Sequence, residues 1–426
     1  MQEKFIIKGG KRLKGVIDIK GAKNAAFPLL ASTILTREPC IIRGLPLIKD
    51  VERMIFILEK MGAKIKRLAE RDLEVQCEDI NPERIPFEVM GCFRGSILLW
   101  GALLARFENF KTPSPGGCII GARPVFAHLD AFKDMGVNIT QKDGFFFFER
   151  DERIKKEKEP QVVILSEFSV TATENVLLFA SSLKRKTVLK IADEDYQVQE
   201  LVKVLRKMGA RIKMKGFHII EIEGQEKLKG FEHRLISDPI EAGTFIIAAL
   251  ATKGEILLEN VEIGHLYFFL NKLIKAGARL EFPNSRSVRV LQSPPLAICK
   301  IQSLPYPGLA TDLQPELGVL ATQAKGSTLI HDPLYEGRLK YLENLNKMGA
   351  DIIFCDPHRA IINGPTPLYG TEFSSLDLRS GAALVIAGLV ANGTTIIQNI
   401  DQLDRGYEKI EERLRQLGAD IKRVCS

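Results

Sequence analysis

The chain runs to 426 residues, 45% of them apolar and 27% charged, with a formal net charge of +7. That length and balance describe a globular protein with room for two domains, each with its own core. A membrane protein is not expected, because the apolar run 97–105 is far short of the ~20 residues a spanning helix needs and the start, mixing Glu3 with Lys4, offers no signal-type apolar run. Nucleic-acid binding is not indicated either, because the basic residues are scattered without interleaved aromatics; small polyanionic substrates are compatible with such a surface. The seven cysteines, at 40, 77, 92, 118, 299, 355 and 425, are odd in number and contain no C-x-x-C. They imply a reduced, cytoplasmic setting without a disulfide framework or zinc site. His218, His233, His265, His331 and His358 show no metal-ligand spacing and read as structural or surface residues.

In chain order the predicted elements repeat. A helix rich in small and apolar residues on every side is expected at 25–34, then at 96–105, 172–183, 244–251, 317–324 and 381–391. A helix apolar all round must be buried. A short β-branched strand follows, such as Thr328, Leu329 and Ile330. Next comes an amphipathic helix, with Val51, Ile55, Leu58 and Met61 on one face of the first copy and Tyr407, Ile410, Leu414 and Leu417 on the last. Each amphipathic helix stops at a glycine in the phrase M-G-A-K-I or a variant: Gly62, Gly136, Gly209, Gly277, Gly349 and Gly418, about 70 residues apart. That glycine is expected to be left-handed, with a strand after it. Six units give three per domain, an α/β fold with helices inside and sheets outside, and the repeat count puts the hinge near 224–230. Residues 149–160 are expected to be a solvated loop, and 145–148 a strand covered on both faces or a sticky edge.

Polar residues gather where these helices begin. The buried helices open at Lys23 and Asn24, Arg94, Ser169, Asp238 with Glu241, Asp312, and Asp377 with Arg379. The amphipathic ones open after Lys49 and Asp50, Arg123, 193–195, Gly264 and His265, Glu336 with Arg338, and Asp404 with Arg405. Helix starts carry partial positive charge and free N–H groups, which suit phosphates and carboxylates. Asp50, Asp404 and Glu241 read equally well as caps or salt-bridge partners. Lys23, Arg94, Arg123 and Arg405 are cations at positive helix ends, where an anionic ligand is the natural compensation. If the six units are equivalent, many of these starts face one cleft between the domains. The stretch P-G-G-C-I-I-G-A-R-P at 115–124 adds a glycine-rich loop that sets Cys118 near Arg123.

That loop, together with G-A-K-N-A-A at 21, A-T-D-L-Q at 310, Y-E-G-R at 335, L-D-L-R at 376 and L-D-R-G-Y-E at 403, stands in the order and spacing of one family. On these motifs the chain resembles, along its whole length, the UDP-N-acetylglucosamine 1-carboxyvinyltransferases, enolpyruvyl transferases of peptidoglycan precursor synthesis. The sister family that makes 5-enolpyruvylshikimate-3-phosphate shares the six-unit architecture, but Cys118 argues against it. The resemblance implies the enolpyruvyl transferase fold, with two inside-out α/β barrel domains of three units each. One is a C-terminal domain of 1–22 and 230–426; the other is an N-terminal domain of 23–229 carrying the Cys118 loop. The implied reaction adds the 3-hydroxyl of UDP-N-acetylglucosamine to C2 of phosphoenolpyruvate, then expels phosphate from a tetrahedral ketal. An acid must protonate C3, a base must take the hydroxyl proton, and cations must hold the phosphate and carboxylate.

By family match Cys118 is the general acid and a site of covalent adducts, and Asp312 is the base. Replacing Asp312 with Asn should cut turnover and leave folding nearly unchanged. Lys23, Arg123 and Arg405 match phosphoenolpyruvate contacts, Lys23 and Arg405 standing with the catalytic groups. Arg94, Asp377 and Arg379 fall in the surrounding charge network, Asn24 and Glu336 on the sugar side, and Pro124, Val125, Ser169 and Val170 in the acceptor-binding segments. The resemblance implies neither a metal nor an organic cofactor, and a monomer acting on small molecules. The acceptor half departs from the family: Phe126 replaces a common aspartate and is followed by Ala127, Glu167 replaces a lysine, Thr171 a glycine, D-E-D-Y at 193–196 the usual R-E-P-E, and Pro239 an arginine. A different hydroxyl acceptor, such as another nucleotide, and a weakly active binding paralogue are the alternatives these changes leave open.

Overall fold

The computed structural model describes residues 3–117, 121, 124–155 and 157–425. Two compact units emerge: one takes in the chain up to Lys20 and from Ser237 onward, and the other most of Gly21 to Ile236. Among the described residues each unit holds three sheets. In the C-terminal unit one sheet runs Glu372–Ser374, Thr394–Gln398, Glu3–Lys8, Asp420–Cys425, the first pair parallel and the other two antiparallel. Four further sheets repeat this pattern of one parallel edge pair and two antiparallel pairs. The sixth, Asn109–Pro113, Phe145–Arg150, Val137–Lys142, lacks the parallel strand. The six sheets and the helices between them give the mixed α/β content and three-plus-three division that the repeat implies.

The expected helices form, and the apolar ones are inside. All 13 residues of helix Pro239–Ala251 are buried, as are all 9 of Gln314–Thr322. Burying a leucine or isoleucine side chain is worth about 1.5–3 kcal/mol, so these helices anchor their units. The amphipathic helices Lys49–Met61 and Tyr196–Lys207 bury one face and expose the other. All six glycines of the repeated phrase have positive φ, from 91° at Gly136 to 112° at Gly209, as the left-handed stop requires.

Two local expectations change. Phe145–Arg150 is the central strand of its sheet and alternates, burying Phe146 and Phe148 against Trp100 while Phe147 faces out. It is therefore neither covered on both faces nor an edge. Nor is 149–160 wholly solvated, since Arg150 and Ile154 are buried. Ile154 packs so closely under the Gly136 turn that a Cβ on Gly136 would lie 2.9 Å from its Cδ1. Among the described residues no helix is long and apolar enough to cross a membrane.

Candidate active site

In the C-terminal unit two buried arginines converge on one carboxylate. Asp312 lies on the short turn Thr311–Leu313 that leads into helix Gln314–Thr322. Its Oδ1 accepts from Arg338 Nη2 at 3.1 Å, and its Oδ2 accepts from Arg379 Nε and Nη2, both at 3.0 Å. Arg379 sits in the first turn of helix Leu378–Val390, whose start is capped by Asp377: Oδ1 accepts from the N–H groups of Arg379 at 3.0 Å and Ser380 at 3.2 Å. Burial opposes the charge on both arginines. For Arg379 the opposing influence of Tyr407, Asp312, Asp238 and Glu316 outweighs it, and for Arg338 that of Asp312, Asp377 and Asp332, so both are held above the ordinary guanidinium range. Asp312 is thus fixed in rotamer by a guanidinium on each oxygen.

Buried Asp332 holds the segment behind it: its Oδ2 accepts from Ser303 Oγ at 2.7 Å and Thr311 Oγ1 at 2.6 Å, and its Oδ1 from the N–H groups of Leu334 and Tyr335. Thr311 in turn accepts from Arg338 Nε at 3.1 Å. Glu336, which follows this turn, is exposed. Arg405 is buried, and its Nη1 donates to Gln402 Oε1 at 2.9 Å. The Tyr407 ring lies 5.2 Å from the Arg379 guanidinium.

In the N-terminal unit Lys23 opens helix Lys23–Ser32 and its Nζ donates to buried Asp50 at 2.9 Å, which also accepts from Arg53 at 2.9 Å. Asp50 therefore takes the salt-bridge role the sequence left open for it. Asn24 beside Lys23 is half-buried. Arg94 donates through Nη2 to the carbonyl of Pro124 at 3.1 Å, tying the segment that carries Val125 into helix Phe126–Asp134. Ser169 caps helix Val170–Ala180 by accepting from the Ala172 N–H at 3.3 Å. Behind that helix start His128 is fully buried, and burial, aided by Arg94, pushes its pKa down to about 3. Asn175 is oriented by the Gly101 N–H at 2.7 Å and the Ile97 carbonyl at 3.1 Å, so its Nδ2 donates to His128 Nδ1. Neutral His128 then carries its proton on Nε2 and donates to Thr171 Oγ1 at 3.1 Å.

Two of the altered acceptor positions are exposed, Phe126 at 66% and Glu167. Within helix Val170–Ala180 Glu174 is fully buried with neither oxygen hydrogen-bonded, and burial, then Asp195 and Asp193, pushes its carboxyl well above the usual range. Cys118 and Arg123 lie outside the described residues. Of the described cysteines Cys40 and Cys77 are buried, and Cys92, Cys299, Cys355 and Cys425 exposed. The carboxylates that come close enough together to suggest a metal ion, Glu3, Asp401 and Asp404, have the Arg423 guanidinium among them, 2.8 Å from Glu3 and 2.6 Å from Asp404. Sequence reasoning missed Asp332 and Glu316 and gave Arg338 no role. The signal for Glu316 was present, a carboxylate one residue ahead of a stretch read as all-apolar.

A family model described as EPSP synthase (3-phosphoshikimate 1-carboxyvinyltransferase) matches residues 7–414. The chain belongs to this family of carboxyvinyltransferases, which are enzymes. Its relatives include a UDP-N-acetylglucosamine 1-carboxyvinyltransferase of Carboxydothermus hydrogenoformans, 40% identical over 99% of this chain and 98% of the relative. Another from Halothermothrix orenii is 40% identical over 99% of each. Among solved structures, the enolpyruvyl transferase NikO from Streptomyces tendae superposes with a TM-score of 0.90 at 25% identity, covering 100% of this chain and 99% of that one.

Proposed function

We propose that this protein transfers the enolpyruvyl group of phosphoenolpyruvate to the 3-hydroxyl of UDP-N-acetylglucosamine with release of phosphate, the entry step of peptidoglycan precursor synthesis. The observation that carries the reading is Asp312 held by Arg338 and Arg379, a carboxylate aimed by two guanidiniums as a base must be aimed. Relatives about 40% identical over the full length support the acceptor. In this reading Asp312 takes the acceptor proton and Cys118 delivers one to C3. Lys23, Arg123 and Arg405 hold the phosphate and carboxylate of phosphoenolpyruvate, and Arg94, Asp377 and Arg379 brace them. Asn24 and Glu336 meet the sugar, while Pro124, Val125, Ser169 and Val170 meet the nucleotide. The enzyme works as a cytoplasmic monomer on these small molecules. The test is phosphate release from phosphoenolpyruvate: it should depend on UDP-N-acetylglucosamine, and its absence with that acceptor would reject the reading.

Glu167, exposed just before helix Val170–Ala180 where the family commonly has a lysine, favours a second reading, a hydroxyl acceptor with less negative charge than a nucleoside diphosphate. The same assay across other nucleotides and sugars separates the two. In that assay a phosphonate epoxide such as fosfomycin should alkylate Cys118 alone, although four other thiols are exposed. Mass mapping that put the label on Cys92 or Cys299 would remove Cys118 from its role.

A further inference from the structure

Glu316, which none of the assigned roles uses, ends a line of hydroxyls that passes beside Arg379, the arginine that holds the base. It lies fully buried in helix Gln314–Thr322; its Oε1 is 3.2 Å from Tyr407 Oη, and its Oε2 is buried with no hydrogen-bond partner. Tyr407 Oη is 2.8 Å from Thr244 Oγ1, and Thr244 spends its one proton on the Ile240 carbonyl at 2.9 Å. With Glu316 ionised, Tyr407 donates to its Oε1, and Thr244 has one proton for both the Ile240 carbonyl and Tyr407, so one contact goes unmade. All three contacts are hydrogen bonds together only if Thr244 accepts from Tyr407 and Glu316 supplies a proton to Tyr407. Three bonds and three protons close in one direction when Glu316 is a neutral acid, and one bond is lost when it ionises.

The groups facing Glu316 are Arg379 from helix Leu378–Val390, Asp312 from the preceding turn, the hydroxyls of Tyr407 and Tyr341, and Thr244 with Asp238 from helix Pro239–Ala251. Lys300 and Arg359, on the two neighbouring strands, face solvent. We propose that Glu316 is a positioning residue that acts through Arg379: as a neutral acid it locks Tyr407 under the guanidinium and leaves Arg379 to Asp312, and as a carboxylate it competes with Asp312 for that arginine. This rests on the reading of Asp312 as base. Burial, against the pull of Arg379, raises the Glu316 carboxyl to about 8, so the acid form dominates at neutral pH and is lost on the alkaline side.

The test is the dependence of kcat on pH in the wild-type protein and in Glu316→Gln, whose amide N–H donates in the same direction and does not ionise. Between about pH 7 and about pH 9 the wild-type kcat should fall roughly tenfold more than the variant's, any fall in the variant being that of the Cys118 thiol as acid. Equal falls in the two proteins would overturn the proposal. Infrared difference spectra provide a readout independent of turnover. Buried Glu174 contributes a protonated carboxylic acid band to both proteins; a second such band should appear only in the wild-type minus Glu316→Gln difference and should bleach above about pH 8, and absence of that difference band at neutral pH also overturns the proposal. If the wild-type protein releases no phosphate from phosphoenolpyruvate with UDP-N-acetylglucosamine at any pH, the proposed function fails and the band alone decides the proton order.

Discussion

Asp312→Asn should lower kcat for phosphate release by about three orders of magnitude. A positioned general base contributes roughly 10²- to 10⁴-fold, and the amide keeps the shape while losing the ability to take a proton. The geometry adds a cost that the sequence did not suggest. Arg338 and Arg379 are nearly inaccessible, with side-chain exposures of 2% and 5%, and Asp312 is their shared counter-charge at 28%. Removing one partner of a buried ion pair leaves the other uncompensated. The melting temperature should therefore drop by several degrees, on the order of 2 kcal/mol for a carboxylate still partly in water. Steady-state kinetics at saturating substrates, with thermal melts on the same preparation, measure both effects. Near-normal turnover in a folded variant would remove Asp312 as the base.

Arg405→Ala should raise the KM for phosphoenolpyruvate by about a hundredfold, with a smaller change in kcat. Charge-assisted bonds from a guanidinium to phosphate or carboxylate are worth roughly 1.5–3 kcal/mol, and more when desolvated. Arg405 is buried and already oriented by Gln402, so little freedom is lost when it closes on an anion. Arg405→Lys should recover the charge and only part of the affinity, because an ammonium cannot offer the planar fork. An unchanged KM in Arg405→Ala would take phosphoenolpyruvate away from this residue.

The architecture was legible because it is written six times. A single M-G-A-K-I is a weak signal, but six copies at one spacing fix six helix ends, and each of those glycines has the left-handed backbone that spacing implies. Asp377 was read as part of the charge network around phosphoenolpyruvate, and the structure shows it capping the helix start at Arg379 and Ser380. Partners far apart in the chain were not legible. Nothing local says that Asp312 will meet Arg379, 67 positions away, or that Tyr407 will meet Glu316, 91 positions away. Lys23 was read as a cation in want of an anionic ligand, and Asp50 gives it a protein partner as well. The strand 145–148 misled because four phenylalanines in a row hide an alternation that only the sheet reveals.

The strand Glu3–Lys8 has a consequence for the order in which this protein is made. It lies between Thr394–Gln398 and Asp420–Cys425, with Phe5 opposite Ile397 on one side and Arg423 on the other. Its ladder partners on both sides are thus synthesised some 400 residues after it. During translation this strand leaves the ribosome early and waits, with both edges open, until residues 394–425 have been made. The unit that contains Asp312 and Arg405 therefore cannot close before residue 425 is made, whereas Gly21 to Ile236 can fold long before that point. A nascent chain stalled before residue 394 should accordingly offer Phe5 and Ile7 to trigger-type chaperones or to protease, and one released after residue 425 should not.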